Sequence, residues 1–169
     1  VYTPSAEGEV LLSLRPFAKS LVLRLLPAKG KAATASGIEL AQATIPLLKC
    51  TQRIVMDGGL LTEAEFSINH QTGTPLVIAL PAGADLLRCV ADGAPVRPER
   101  RENEITLELA PPSSQDALTK LQLTCFTKLE PIQQTSGSLK LSVPVIALFH
   151  ERLEWTIALP EGITAAALD

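Results

Sequence analysis

Two neighbouring glutamates are the residues of this sequence whose spacing comes nearest to a catalytic pair. Glu63 and Glu65 stand two positions apart in an alternating run, which places both carboxylates on one face of a strand. Paired carboxylates can hydrolyse glycosides, one as a general acid and the other as a base or nucleophile. Because the other face of this run is apolar, we expect the glutamate face to be solvated. We therefore interpret the pair as surface charge.

Two histidines, His70 and His150, could supply the base of a Ser–His–acid triad or a Cys–His pair. His70 closes the run that holds the two glutamates, and His150 stands at an expected strand junction. Neither has a companion at metal-ligand spacing, and no Gly-x-Ser-x-Gly nucleophile elbow occurs. We predict surface or turn histidines, and keep Glu63, Glu65 and His70 as the residues that a hydrolase or sugar-processing enzyme would use here.

The densest group of charges is the run 97–102, which holds three arginines (Arg97, Arg100 and Arg101) and two glutamates. Basic loops can bind phosphate or carboxylate groups through charge-assisted hydrogen bonds. The glutamates offset most of this charge, and no aromatic residue interleaves it for stacking on bases. We predict a solvated hairpin tip, with contact to an anionic partner as the alternative.

Three cysteines, Cys50, Cys89 and Cys125, cannot all pair with one another. Cys50 and Cys125 alternate with aliphatic residues, so we expect buried thiols that pack as small apolar groups. Cys89 is ambiguous, because apolar residues flank it on both faces of its run. One disulfide with one free thiol stays open as the alternative. No metal or cofactor site is predicted, since CxxC spacings, Asp-rich calcium loops and phosphate-cradling glycine loops are missing.

The composition is that of an ordinary globular domain, with 169 residues, 46% apolar and 20% charged. We predict one domain over residues 1–169, with a subdivision near 56–59 as the alternative. The net charge of −3 gives no general attraction to nucleic acid. The longest uncharged apolar run, Thr74–Ala84, is too short to span a bilayer and contains two prolines. Nucleic-acid binding and direct membrane insertion are therefore not expected.

Apolar and polar residues alternate with a period of two along much of the chain, as in half-buried antiparallel strands. Asp57–Gly59 and Asp92-Gly93 separate such runs and predict hairpin turns. Leu21–Leu26 and Leu76–Leu80 are apolar on both faces and predict central strands. We therefore predict an all-β, antiparallel β-sandwich with roughly ten or more short strands. The predicted inward residues of four runs are Leu60, Thr62, Ala64, Phe66 and Ile68; Ile105, Leu107 and Leu109; Leu139, Leu141 and Val143; and Leu153, Trp155, Ile157 and Leu159.

The order of these elements between residues 61 and 160 resembles the β-sandwich modules of large, poorly characterised bacterial envelope and secreted proteins. Those modules lie between other domains or beside membrane anchors. The resemblance implies a β-sandwich and an extracytoplasmic setting (periplasmic, cell-surface or secreted), and it supplies no active-site residues. The segments that carry it are Glu63–Asn69, Leu76–Gly83, Cys89–Val96, Ile105–Leu109 and Leu153–Gly162.

We therefore expect a non-catalytic interaction or spacer module of a larger protein, in contact with neighbouring domains of the same or another protein. We expect a processed or excised segment, since the sequence starts at Val1 without Met. A small hydrolase is one alternative. A carbohydrate-binding module is another, although only 4% of the residues are aromatic and Trp155 is predicted to face inward.

Overall fold

The computed structural model describes residues 10–14, 20–25, 43–70, 75–112, 114, 117–131, 137–163 and 165–167. Within these ranges the chain forms fifteen β-strands and no helix, so the all-β prediction is confirmed. The strands are β1 Val10–Leu14, β2 Ser20–Leu25, β3 Ala43–Ile54, β4 Gly59–His70, β5 Pro75–Ala79, β6 Ala84–Ala91, β7 Ala94–Pro95, β8 Glu99–Arg101, β9 Glu104–Glu108, β10 Leu118–Lys128, β11 Gly137–Leu141, β12 Val145–Ile146, β13 Phe149–His150, β14 Leu153–Ala158 and β15 Ala165–Ala167.

These strands form three sheets. The largest has eight strands, in the order β2-β14-β3-β4-β10-β6-β7, with β13 also paired to β3. A four-stranded sheet has the order β12-β5-β9-β8, and a three-stranded sheet has the order β11-β1-β15. The described pairs are antiparallel, apart from β13 and β14, which run parallel to β3. The predicted antiparallel sandwich is confirmed, and it includes a parallel pairing that local alternation does not reveal.

Two clusters of buried apolar side chains join the sheets. The larger cluster contains Phe66 and Leu121 from the eight-stranded sheet and Ile78 and Ile105 from the four-stranded sheet. The smaller cluster joins Trp155 and its neighbours on the eight-stranded sheet to Leu141 of β11. The eight-stranded sheet is therefore one layer of the sandwich, and the two smaller sheets cover its inner face. Burial of these apolar surfaces is the main favourable contribution to folding.

The runs Leu21–Leu26 and Leu76–Leu80 do not form the central strands that their apolar composition predicts. In β5, Leu76 and Ile78 are buried, but Val77 is 46% exposed and Ala79 is also exposed. This strand lies in the four-stranded sheet, which has one face on the core and the other in solvent. β2 lies at the edge of the eight-stranded sheet as far as the chain is described, with β14 on its paired side. The prediction of central strands buried on both faces is wrong for β5, and β2 is not central among the described strands.

Two short segments pass from one sheet to another at opposite sides of the four-stranded sheet. On one side, β7 pairs with β6 in the eight-stranded sheet, and β8, four residues later in the chain, pairs with β9 in the four-stranded sheet. On the other side, β12 pairs with β5, and β13 then pairs with β3. The strands at these crossings are only two or three residues long.

Both predicted hairpin turns are present. Asp57–Gly59 joins β3 to β4. These two strands pair from Ile54 opposite Leu60 to Ala43 opposite His70. Asp92-Gly93 joins β6 to β7, with positive φ angles at both positions, as a tight hairpin turn of this kind requires.

Candidate interaction surface

Glu63 and Glu65 lie on the outward face of the eight-stranded sheet. Glu63 is exposed and Glu65 is half-buried, and their strand neighbours Thr62 and Ala64 face the core. Glu65 Oε2 accepts a hydrogen bond of 3.0 Å from the amide of Gln122 on β10. The pair therefore has the solvated surroundings that the alternation predicts.

His70 lies on the opposite face of the same strand. It is fully buried, and its Nε2 lies 2.9 Å from the hydroxyl oxygen of Thr119. The prediction of a surface or turn histidine is wrong because β4 continues to residue 70, where it pairs with Ala43, and even-numbered positions of this strand face inward. The structure therefore does not bring His70 together with Glu63 and Glu65. His150 is half-buried on β13, and burial lowers the pKa of its imidazole.

Arg100 connects the two layers of the sandwich. Its Nη2 donates a hydrogen bond of 2.9 Å to the carbonyl oxygen of Ala84, and its Nη1 lies 3.6 Å from Oδ1 of Asp85. Its Nε donates to the carbonyl oxygen of Glu102 at 3.2 Å. Since Arg100 belongs to β8 and the first two partners begin β6, this guanidinium joins the four-stranded sheet to the eight-stranded sheet.

The other two arginines of this run remain at the surface. The side chains of Arg97 and Arg101 are exposed and make no hydrogen bond or ion pair within the described ranges. Arg101 stands opposite Glu104 in the β8–β9 hairpin. The three arginines therefore do not converge on one site, because Arg100 is occupied by its own sheet contacts.

All three cysteines are free and buried, Cys89 included. Burial raises the pKa of the Cys50 thiol to about 12, and the nearby Cys125 thiol adds to that shift. Burial likewise raises the pKa of Cys125 to about 11, an effect that Arg100 partly opposes. Because the thiolate is the nucleophilic form, these thiols are unreactive near neutral pH.

A buried polar network, which the sequence analysis missed, lies inside the smaller core. Gln52 is fully buried on β3, and its Oε1 accepts a hydrogen bond of 3.0 Å from the indole nitrogen of Trp155. Its amide nitrogen donates to the Thr62 hydroxyl at 3.1 Å and to the Ser142 carbonyl at 2.8 Å. The sequence holds one sign of this network, because Gln52 is a polar residue at an inward position of its alternating run, between Cys50 and Ile54. Every polar atom of the Gln52 amide has a partner, so the network is structural.

The described residues contain no group of three or more His, Cys, Asp or Glu side chains that could hold a metal ion. Within the same ranges, no helix is long and apolar enough to cross a membrane.

Large apolar side chains are exposed at one end of the eight-stranded sheet. Leu87 is 62% exposed, Val55 50%, and Met56 and Phe126 39% each. Leu61 is half-buried and pairs with Phe126 across β4 and β10. We call these five residues the hairpin cluster. They occupy outward positions or the β3–β4 turn, where polar side chains are expected on a solvated sheet face.

Contacts around Gly59 show that two members of the hairpin cluster, Val55 and Phe126, lie together. A Cβ atom at this glycine would lie 2.7 Å from Cγ2 of Val55 and 3.3 Å from Cε2 of Phe126. The two side chains therefore approach each other over a position that has no side chain of its own. Leu87 lies at the irregularity in the β6–β10 register, between Leu86 and Arg88, and is the most exposed member.

The backbone beneath the cluster is held by several hydrogen bonds. Val55 N donates to Gly59 O at 2.9 Å, and Gly58 N donates to Val55 O at 3.0 Å. Leu129 N then donates to Gly58 O at 2.7 Å. Gly58 has a φ of 90°, and a Cβ there would collide with the Leu129 carbonyl oxygen, so this position requires glycine. The part of the cluster on this hairpin, Val55, Met56 and Leu61, is thus held on a preorganised backbone.

Further exposed apolar side chains lie on the four-stranded sheet and on β13, which pairs with β3 of the eight-stranded sheet. Val77 on β5 is exposed, as are Val145 on β12 and Phe149 on β13. Val145 pairs with Ala79, two residues from Val77 along β5. These side chains are smaller than those of the hairpin cluster, apart from Phe149, and they offer matched control positions for substitutions.

The sequence matches no family model and no curated protein. Solved structures similar to it include the M1 zinc metallopeptidase of Deinococcus radiodurans, with a TM-score of 0.44 and 13% identity over 52% of this chain and 21% of that one. A non-cellulosomal cohesin from Archaeoglobus fulgidus has a TM-score of 0.34 and 10% identity, over 72% and 93% of the two chains. The Mu homology domain of Danio rerio Fcho1, with bound Eps15 peptide, has a TM-score of 0.30 and 8% identity, over 95% and 80%. The chain spans about a fifth of the metallopeptidase length, and we transfer no residue roles from these proteins.

Proposed function

We propose that this domain is a non-catalytic interaction module of a larger protein, and that it contacts neighbouring domains of the same or another protein through the hairpin cluster. The observation that carries the proposal is this cluster of exposed apolar side chains on the β3–β4 hairpin and on the neighbouring strands β10 and β6. Exposed apolar groups that lie together are typical of protein–protein contact sites. The resemblance to envelope modules supports an extracytoplasmic setting.

The arrangement of the titratable groups supports a role without catalysis. Acid–base chemistry needs a positioned group, a partner that orients it and a pocket that excludes water. Glu63 and Glu65 face solvent, whereas His70 is enclosed in the core on the other side of the sheet. The raised pKa values of Cys50 and Cys125 keep these thiols protonated.

Carbohydrate binding has less support than protein contact. Sugar-binding modules use exposed aromatic platforms, and the one Trp of the chain, Trp155, is 1% exposed and hydrogen-bonded inside the core. Phe126 is exposed, but its neighbours in the cluster are aliphatic side chains, which suit an apolar protein surface better than a hydroxyl-rich ligand.

A peptide selection tests the proposal. A random 16-residue library displayed on phage would be selected on the immobilised domain and counter-selected on Phe126→Ser. We expect enriched peptides whose binding is lost in Phe126→Ser and kept in the control Val77→Ser, which alters an exposed apolar residue on the other sheet. Failure to enrich any peptide in this manner would contradict the interaction role.

A substrate screen tests the absence of catalysis separately. The domain would be incubated with ester, glycoside and peptide substrates, beside the double variant Glu63→Gln, Glu65→Gln. Turnover by the parent that disappears in the double variant would overturn the non-catalytic proposal and favour the hydrolase alternative.

A further inference from the structure

One row of outward side chains crosses the eight-stranded sheet through the hairpin cluster. Arg53 of β3 is paired with Leu61 of β4, and Leu61 is paired with Phe126 of β10. Phe126 is in turn paired with Asp85 of β6. Leu61 is half-buried, and the other three side chains are exposed. The row therefore has a cation at one end, two large apolar side chains in the middle and a carboxylate at the other end.

The next row along the strands has its charges in the opposite order. Glu63 of β4 is paired with Thr51 of β3 and with Thr124 of β10. Thr124 is paired with Arg88 of β6. The carboxylate of this second row thus lies on the β3–β4 side and its cation on β6, whereas the first row has its cation on β3 and its carboxylate on β6.

The charges of this face balance one another. Each of the two rows has one cation and one carboxylate. Beside the turn, Lys128 is accompanied by Asp57 and Glu130, and further along the strands Lys49 is paired with Glu65. A uniformly acidic or basic partner is therefore not favoured. The order of the charges along the rows, rather than their sum, is the property that a partner has to match.

We propose that the partner of the hairpin cluster is a second copy of this domain, packed face to face about a two-fold axis that runs parallel to the strands between β4 and β10. This axis reverses the row of the second copy, so that Leu61 of each copy meets Phe126 of the other and Arg53 of each copy meets Asp85 of the other. Oδ1 of Asp85 also lies 3.6 Å from Nη1 of Arg100 in its own chain, but the Asp85 side chain is 74% exposed, so its carboxylate can accept from a second guanidinium. This inference rests on the interaction role proposed above and names the partner.

The second row and the turn fit the same axis. Glu63 of each copy would face Thr124 of the other copy, beside the Arg88 of that copy. Lys128 of each copy would face Gly59 of the other, where no side chain obstructs it, next to the carboxylate of the β3–β4 turn. A two-fold interface uses the same surface on both subunits, which must be complementary to itself. Both rows and the turn meet this requirement with one axis.

The size and composition of the face also suit a pair of copies. The strands that carry the rows, β3, β4, β10 and β6, are 12, 12, 11 and 8 residues long. At ~3.3 Å per residue and ~4.8 Å between strands, they present a face of roughly 700 Å², close to the ~800 Å² that each partner buries in a standard interface. Sheets that pack face to face commonly keep their strands nearly aligned, as this axis requires. Apolar side chains at the centre with charges around them are the usual arrangement of an interface.

Charge-swapped variants test the inference through contacts that only two copies can form. Sedimentation equilibrium over about 5–500 µM should show a monomer–dimer equilibrium of the domain. Arg53→Glu and Asp85→Lys should each weaken dimerisation by about tenfold, because each change places like charges together twice in a symmetric dimer. An equimolar mixture of the two variants should restore the dimer, since a mixed pair has opposite charges at both contacts. Within one copy the two positions are three strands, about 14 Å, apart, which is too far for a contact.

Further variants serve as controls. Arg101→Glu makes the same charge change on the other sheet and should leave dimerisation unchanged. Phe126→Ser, at the centre of the interface, should weaken it by at least about tenfold. Circular dichroism checks that each variant is folded. If Asp85→Lys does not fold, Glu63→Lys and Arg88→Glu supply a second swap on the other row, with the same expected restoration in the mixture.

The outcomes separate this inference from the proposed function. A domain that stays monomeric over the whole range, while phage peptides are still enriched on the cluster, keeps the interaction role and rules out a second copy as the partner. Monomers that also enrich no peptide would contradict both. A dimer that Phe126→Ser leaves intact uses another face, and folded charge variants that do not restore the dimer when mixed would show that the axis is wrong; either result overturns the inference.

Discussion

The indole nitrogen of Trp155 donates a hydrogen bond of 3.0 Å to the side-chain oxygen of Gln52 inside the smaller core. The two residues lie on β14 and β3, which run parallel to each other, with Gln52 opposite Ile157. Because the same amide also donates to the Ser142 carbonyl, one side chain connects this pair to the segment that follows β11. A different β14 register would leave these buried groups without partners, which is costly.

Replacement of Gln52 by Ala should lower the free energy of unfolding by about 2–4 kcal/mol, since it leaves buried polar groups unpaired and opens a cavity. Urea denaturation measures the change. Gln122→Ala is the control, because that amide bonds to Glu65 on the solvated face, and it should cost less than about 0.5 kcal/mol. Equal effects of the two substitutions would show that the Gln52 network does not stabilise the core.

His70→Ala should destabilise the fold by about 2–3 kcal/mol, because a fully buried side chain and its contact with Thr119 are lost. Glu63→Gln, on the outward face of the same strand, should change the unfolding free energy by less than about 0.5 kcal/mol. A double-mutant cycle of His70→Ala and Thr119→Val should give a coupling of about 0.5–3 kcal/mol. Additive single effects would contradict the contact.

Arg100→Ala should lower the unfolding free energy by about 1–2 kcal/mol, since the guanidinium hydrogen-bonds to the carbonyl of the buried Ala84. Arg101→Ala removes the same charge from the next residue and should cost less than about 0.5 kcal/mol. Thermal and urea unfolding of the two variants measure the difference. If Arg101→Ala is the more harmful change, Arg100 does not join the sheets as described.

The thiols make stability depend on alkaline pH. In the unfolded chain they ionise near their ordinary value of 9.0, whereas in the folded protein the pKa of Cys50 is about 12 and that of Cys125 about 11. Above pH 9 the unfolded state therefore binds fewer protons than the folded state, and stability falls as pH rises. We expect a loss on the order of 2 kcal/mol between pH 8 and pH 10.

The double variant Cys50→Ala, Cys125→Ala should show a smaller dependence on pH over this range, whatever its absolute stability. Native protein should also react slowly with a thiol reagent at pH 8, and quickly once unfolded. Fast labelling of both residues in the native protein, or an unchanged pH dependence in the double variant, would contradict the burial of these groups.

Period-two alternation predicted the fold class and the faces of β4, β9 and β14, because each of these strands has one face on the core. The parallel β14–β3 pairing was not predictable, since it depends on contacts between residues a hundred positions apart. His70 was misplaced because alternation does not reveal where a strand ends. For Gln52, alternation gives the inward position, but its partners come from tertiary packing.

The hairpin cluster had a weak signal in the sequence. Leu61 and Phe126 are large apolar residues at outward positions of their alternating runs, where polar side chains are the rule. Such departures also arise from isolated surface residues, which are common. The pairing of β4 with β10, together with the turn at Gly58, is what places them side by side. That pairing is non-local, so the cluster could not be assembled from the sequence alone.

The short strands at the crossings between sheets affect whether concentrated or tandem copies of this domain can pair their strands. A long, straight edge strand is a template on which another chain can add strands, the first step towards fibrils. At both sides of the four-stranded sheet the bordering strands are only two or three residues long, and the charged residues of β8 interrupt one of these edges further. Copies of this domain can therefore stand side by side without joining their sheets at these edges, and contacts between them are left to side chains on the faces.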